Sequence, residues 1–176
     1  MATFKSKAFI GGVPYRPTSE QPFDVTATIL VPNGTAIAAT DVFKFMRLGA
    51  DVDVLSVELR TDDLDTATAI TLHLGVDYDG ATTDDPDAFV ASSTIGQTGG
   101  RVRVENGGDD PFAVGGFIAL PGTATMTATC AVSPTTNPST DRYLTLTVKC
   151  QKKAGATSDV PYVYADRYTA AGVGTI

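Results

Sequence analysis

The chain has 176 residues, 43% of them hydrophobic and 19% charged, and 20 Asp and Glu against 13 Lys and Arg give a net charge of −7. Disorder needs the opposite balance, so this is a chain able to bury one continuous core. An acidic surface repels phosphate backbones, which excludes nucleic acid as a partner, and no apolar run approaches the roughly 18 residues of a membrane span, which excludes insertion.

Behind Lys5 and Lys7 there is no apolar stretch of the kind a secretory signal carries, so synthesis and first residence in a cytoplasm are expected. The carboxylates are nearly all aspartate, with Glu20, Glu58 and Glu105 as the glutamates, beside 17 Gly and 10 Pro. Aspartate, glycine and proline favour turns, and abundant threonine favours strands. An all-β fold follows, a β-sandwich or jelly-roll-like domain with an extended N-terminal arm.

Residues 1–35 read as the arm, because Pro14, Pro17, Pro22 and Pro32 interrupt any helix and Gly11-Gly12 and Asn33-Gly34 mark turns. Within it only Phe23 to Val31 alternates as a strand does. Its apolar residues Phe4, Phe9, Ile10 and Tyr15 need cover from their own domain or from a neighbour.

Residues 36–168 read as the sandwich. In Val42 to Leu48 both parities carry apolar groups, which predicts a strand covered on both faces. Val52 and Val54 share one parity and Val57 and Leu59 the other, which predicts a β-bulge or bend near Leu55-Ser56. Thr61 to Thr66 turns, and Ala69 to Tyr78 then points Ile70, Leu72, Leu74 and Val76 inward with Thr71, His73 and Asp77 outward. These last two strands are expected to be neighbours in one sheet.

From Asp79 to Pro111 the chain reads mostly as loop around two short pieces, Phe89-Val90 and Arg101 to Val104. Strands are predicted at Phe112 to Leu120, Thr123 to Val132, Arg142 to Cys150 and Pro161 to Tyr164, and residues 169–176 form a tail. The pair 123–132 and 142–150 reads as a hairpin centred near Asn137. In that pairing Cys130 and Cys150 lie about 20 Å apart, too far for a disulfide, so both are expected to be buried thiols.

Chemistry is sparse. His73 is the sole histidine, and its parity sets it on a polar face with neither nucleophile nor orienting acid nearby, so a surface or interface role is expected. The turns Asp62-Asp63-Leu64-Asp65 and Asp84-Asp85-Pro86-Asp87 offer hard oxygen ligands, but neither follows the EF-hand spacing, and turn-forming, solvating carboxylates are the expectation. No Trp is present to stack sugar rings beside a carboxylate pair, and the glycine pairs match no phosphate loop. No cofactor, metal or catalytic residue is expected.

The stretch from Gly49 to Thr66 (GADVDVLSVELRTDDLDT), then Ile70 to Val76 (ITLHLGV) and Asp87 to Thr94 (DAFVASST), resembles small virion structural proteins of tailed bacteriophages, in particular decoration or cement proteins of the head. The resemblance implies a noncatalytic protein on the capsid exterior, made in a host cytoplasm. It binds the major capsid protein and other copies of itself, as a homotrimer, and clamps adjacent capsomers. Contacts are expected from Phe4, Phe9, Ile10 and Tyr15 in the arm and from Tyr162, Tyr164, Arg167 and Tyr168 near the end. A neck, tail or fibre-associated role and a β-sandwich carbohydrate-binding module are the other expectations.

Overall fold

Period-two alternation dictates the architecture, because each strand has one apolar face to bury against a partner sheet. A computed structural model of the protein describes residues 1–10, 21–65, 67–80, 83–105, 118–120 and 122–153. Two five-stranded sheets pack face to face. The first holds β1 (Thr3–Lys5), β3 (Val42–Leu48), β9 (Ala124–Val132), β5 (Thr71–Tyr78) and β6 (Asp85–Ser93), in the spatial order β1-β3-β9-β5-β6. The second runs β2 (Phe23–Val31), β10 (Arg142–Lys152), β4 (Val52–Thr61) and β7 (Gly100–Glu105), with β8 (Ile118–Ala119) paired on β4. A single helical turn, α1 (Lys7–Ile10), packs against β3 and β2, and a 3₁₀ turn spans Ile95–Gln97.

The core lies between the sheets. Phe43, Phe45, Met46, Leu48, Leu72, Leu74 and Met126 from one side meet Ile29, Val54, Val57, Leu59, Leu144, Leu146 and Val148 from the other, all buried. The bulge predicted near Leu55 is present: Lys149 faces Ser56 and Cys150 faces Val54, so Leu55 is the extra residue that turns the apolar parity of β4 over. The predicted orientation of β5 also holds, with Ile70, Leu72, Leu74 and Val76 buried and Thr71, His73 and Asp77 half-buried.

Four expectations are corrected. The apolar groups of Val42–Leu48 do not divide between two faces by simple parity, buried Val42 being the one on the Lys44 side. The register of β3 against β9 shifts between Lys44 and Met46, which makes Phe45 an extra residue, so Phe43, Phe45, Met46 and Leu48 all reach the one core while Lys44 and Arg47 stay half-buried. The same device that was legible in β4 was missed here because Phe45 and Met46 are both apolar. β4 and β5 are not neighbours, since one lies in each sheet. Nor do β9 and β10 form a hairpin. Cys130 sits opposite Leu72 in the first sheet, Cys150 between Phe23 and Val54 in the second, and both are free buried thiols. Finally, residues 85–93 are a nine-residue strand and not loop.

Of residues 1–35, Thr3–Lys5 pairs in parallel with β3, and Phe23–Val31 pairs along its whole length with β10. The predicted strand at 161–164, the tail 169–176 and most of the predicted strand 112–120 lie outside the described residues.

Gly75 shows how tightly the layers close. A Cβ built there would stand 2.1 Å from the carbonyl oxygen of Asp85 and 2.3 Å from the carbonyl carbon of Pro86, so the start of β6 crosses β5 where no side chain stands. Both obstacles are backbone and cannot rotate away. Gly75→Ala is expected to destabilise the fold by about 2–3 kcal/mol or to detach the start of β6, read as a lowered urea midpoint; an unchanged midpoint contradicts this close approach.

Candidate functional site

Four connections pass from sheet to sheet at one end of the sandwich: β2 to β3, β4 to β5, β6 to β7 and β9 to β10. Such loops carry backbone donors and acceptors that no ladder satisfies, and here aspartates supply the partners. Asp62 accepts the Tyr143 N–H at 2.8 Å and its own N–H binds the Tyr143 carbonyl, extending the β4–β10 pairing into the loop. Asp63 accepts the Asp65 N–H at 3.0 Å, and Leu64 between them is fully buried.

Asp65 is fully buried as well, which corrects its expected role as a solvated turn residue. Its carboxylate accepts five backbone N–H groups, from Ala67, Ala69 and Ile70 in its own loop and from Thr135 and Thr136 in the β9–β10 loop, at 2.7–3.2 Å. Burial pushes the carboxyl pKa up, but the amides of Ala67, Ala69, Thr135 and Thr136 together outweigh it and hold the group at about 2. A carboxylate ringed by N–H donors has no lone pair turned toward a cation. Among the described residues no group of three His, Cys, Asp or Glu side chains is arranged to hold a metal.

The contact residues expected from the sequence fall in different places. Phe4 stacks on Phe43, with ring centroids 4.8 Å apart and planes 18° from parallel. Its N-terminal strand is pinned by Asp41, which accepts the Ala2 N–H, and by the Ser6 hydroxyl, which donates to the Phe45 carbonyl. Half-buried Phe9 lies under the ammonium groups of Lys5 and Lys44, 5.3 and 5.9 Å from its ring centroid. Together with Arg47, Asp77, Asp79 and Thr125 these line a groove of about 440 Å³ on the outer face of the first sheet, where Lys44 pairs with Asp77 and Arg47 with Asp79. The Ile10 side chain and Tyr15, Tyr162, Tyr164, Arg167 and Tyr168 lie outside the described residues.

His73 is half-buried, and its Nδ1 accepts the Ser92 N–H at 3.1 Å where the β5–β6 register slips. That bond places the acceptor at Nδ1 and serves the irregular strand. Burial pushes the Cys130 thiol up to about 11, with Asp41 adding to it, and the Cys150 thiol up to about 12, with Asp24 adding to it, so neither is a nucleophile near neutrality.

The outer face of the second sheet was not singled out in the sequence. Its signal was the alternation of arginine and valine over residues 101–104, which reads as an ordinary strand until the neighbours are known. Thr26 bonds Thr147 at 3.1 Å and Thr28 bonds Thr145 at 3.0 Å across β2 and β10, and exposed Leu30 stands opposite exposed Tyr143. Glu58 takes Arg60 at 2.5 Å and Arg103 at 4.0 Å, while Arg103 also pairs with Glu105. The hydrogen bond from Arg60, against the opposing pull of burial and aided by the charges of Arg101 and Arg103, keeps the Glu58 carboxyl below its usual range. Asp24, Ser56 and Lys149 complete the rim of a groove of about 420 Å³. This is a broad polar sheet face of cross-strand threonine pairs and ion pairs.

No protein-family model matches the chain, and no curated protein is similar to it. Among solved structures the chain is similar to one from the capsid of Ralstonia phage GP4, with a TM-score of 0.64 and 22% identity, covering 87% of this chain and 100% of that one. The likeness is one of fold. A second chain of the same kind comes from the capsid asymmetric unit of cyanophage Pam1, with a TM-score of 0.56 and 20% identity over 80% of this chain and 91% of that one. Both likenesses extend over far more of the chain than residues 42–100, where the sequence resemblance lies.

Against the pull of burial, the ring of N–H donors holds the Asp65 carboxyl at about 2 in the fold, below its ordinary 3.8. A lowered carboxyl pKa stabilises above the unfolded value, so this contribution, about 2 kcal/mol, is complete above about pH 4 and is lost as pH falls toward 2. Asp65→Asn turns an amide NH₂ toward backbone donors and is expected to cost at least about 2 kcal/mol at pH 7. Urea unfolding of both proteins across pH 2 to 7 checks this: the gap between them narrows at the acid end, and a gap that stays constant with pH refutes the role of the charge.

Proposed function

We propose that the protein is a noncatalytic structural component of a bacteriophage virion, a decoration protein that binds the assembled capsid from outside and stabilises it by clamping adjacent capsomers. The observation that carries this reading is the fold likeness to chains of two phage capsids over four-fifths or more of this chain. The strand order β2-β10-β4-β7 facing β3-β9-β5-β6 supports the jelly-roll form of the sandwich. Support also comes from the surface, where the two grooves are lined by ion pairs and threonines without a nucleophile and base in contact.

In this role the partners are the major capsid protein and two further copies of the chain in a trimer. Residues before β2 and the end of the chain reach those partners from the sandwich, with Phe9, Ile10, Tyr15, Tyr162, Tyr164, Arg167 and Tyr168 making contact and Phe4 seating the N-terminal strand on Phe43. Binding to the assembled shell and not to free capsomers raises the shell's resistance to internal pressure by linkage.

Quantitative mass spectrometry of purified virions separates the placements. Copy numbers on the order of the major capsid protein's are expected for decoration; about a dozen or fewer moves the protein to the neck, tail or fibre, and absence refutes a virion role. The joint variant Tyr162→Ala, Tyr164→Ala, Tyr168→Ala is expected to weaken binding to undecorated capsids by about tenfold or more, as truncated aromatic anchors do, with an unchanged melting temperature. Undiminished binding removes these tyrosines from the contact.

A further inference from the structure

The outer face of the second sheet carries an arrangement that its own fold leaves incomplete. Arg60 and Arg101 stand directly opposite each other across β4 and β7, with Arg103 opposite Glu58 two pairs further on, on the same face. Like charges facing each other weaken a strand pair unless a counter-charge lies between them. Glu58 serves Arg60 and, at 4.0 Å, Arg103, and Arg103 turns also to Glu105. Exposed Arg101 makes no hydrogen bond or ion pair with the described residues, its influence on Glu58 being through space alone. On a chain of net charge −7, this face therefore presents a cationic end with three exposed guanidinium groups, those of Arg60, Arg101 and Arg103, against the carboxylates of Glu58 and Glu105.

A surface of the opposite character lies elsewhere on the same molecule. Asp84, Asp85 and Asp87 are all exposed at the start of β6. Asp84 holds the turn by accepting the Tyr78 N–H at 2.9 Å. The carboxylates of Asp85 and Asp87 bond no described residue, and Pro86 between them restricts the backbone that presents them.

The geometry points to a contact between copies of this chain in which the Asp85 and Asp87 carboxylates of one copy seat on Arg60 and Arg101 of the next. The two patches sit on different sheets and at opposite ends. Arg60–Arg101 is one pair from Thr61–Gly100 at the crossover end, whereas Asp85 pairs with Val76 near the far end of β5. Such a contact pairs unlike patches on β6 and β7, the edge strands on one side of the sandwich; it forms reciprocally across a two-fold axis, or head to tail in a ring where the rotation closes. Bidentate arginine–carboxylate geometry supplies the orientation, and the charge complementarity supplies selectivity for another copy over an acidic surface lacking the turn. The inference rests on the self-association in the proposed function and is independent of placement on a capsid.

Light scattering of the full chain tests it. Wild-type protein is expected to form one closed oligomer at about 0.1 M salt and to dissociate toward about 1 M, as the screening length falls from about 10 Å to about 3 Å. Arg60→Glu with Arg101→Glu, and separately Asp85→Lys with Asp87→Lys, are each expected to weaken association by at least about tenfold, and the chain carrying all four changes to regain it. Thermal melts of each variant establish that the exposed substitutions leave the sandwich folded, and Arg101→Ala alone gives a milder weakening in the same direction. A wild-type oligomer indifferent to both reversals, or a fourfold variant that fails to reassociate, overturns this contact while leaving self-association standing. A wild-type monomer at every concentration overturns both.

Discussion

The buried Asp65 carboxylate is the point on which the two sheets depend. One side chain with two oxygens satisfies five backbone N–H groups drawn from two loops far apart in sequence. Remove that acceptor and five N–H groups in the two loops lose their partner, that of buried Ile70 among them. The residues around it follow the same logic: Gly96 accepts from Leu64, Gln97 donates to the Ile70 carbonyl at 3.0 Å, Asn137 accepts from Ile37 at 3.3 Å, and Asp41 gathers Ala2 and Ala38. The aspartate-rich composition that first read as solvated turns is in this region a set of internal acceptors.

With the crossover end secured, the sandwich has two outer faces of different kinds. On the first sheet the face is partly closed by the N-terminal strand, α1 and the approach of β6 over Gly75, leaving a groove bounded by paired charges and Phe9. On the second sheet the face is open, flat and polar, with cross-strand threonine pairs at one side and arginines at the other. Rigid β-scaffolds of this kind position contact groups without moving, which suits the proposed structural role. The chemistry that would contradict this, an accessible thiol of low pKa or a histidine paired with an acid and a nucleophile, is not found among the described residues.

Much of this was readable from alternation alone. Phe23–Val31 and the inward set of β5 follow directly from residue parity, and the bulge at Leu55 is visible because an apolar run changes phase across a serine. The bulge at Phe45 was hidden because the residue beside it is methionine, so the phase change produced no polar residue to mark it. Sheet membership was the larger loss. Pro134, Asn137 and Pro138 make as good a turn for a hairpin as for a crossover, and nothing local in β9 or β10 says that Met126 and Leu146 lie on opposite walls of the core. Asp65 could not be told from Asp62 or Asp63 by sequence, since its distinction comes from Thr135 and Thr136, brought to it by the fold.

The position of β10 has a consequence for how the molecule is made. It is the last described strand in chain order, yet it lies between β2 and β4 in the middle of its sheet. During synthesis those two strands therefore emerge with no partner for their facing edges and wait for more than eighty further residues before the strand that joins them is complete. Contacts this distant in sequence make folding slow and leave apolar edges open in the meantime. Ribosome-bound chains thus carry these open edges until β10 has emerged, and mispairing competes with folding throughout that interval.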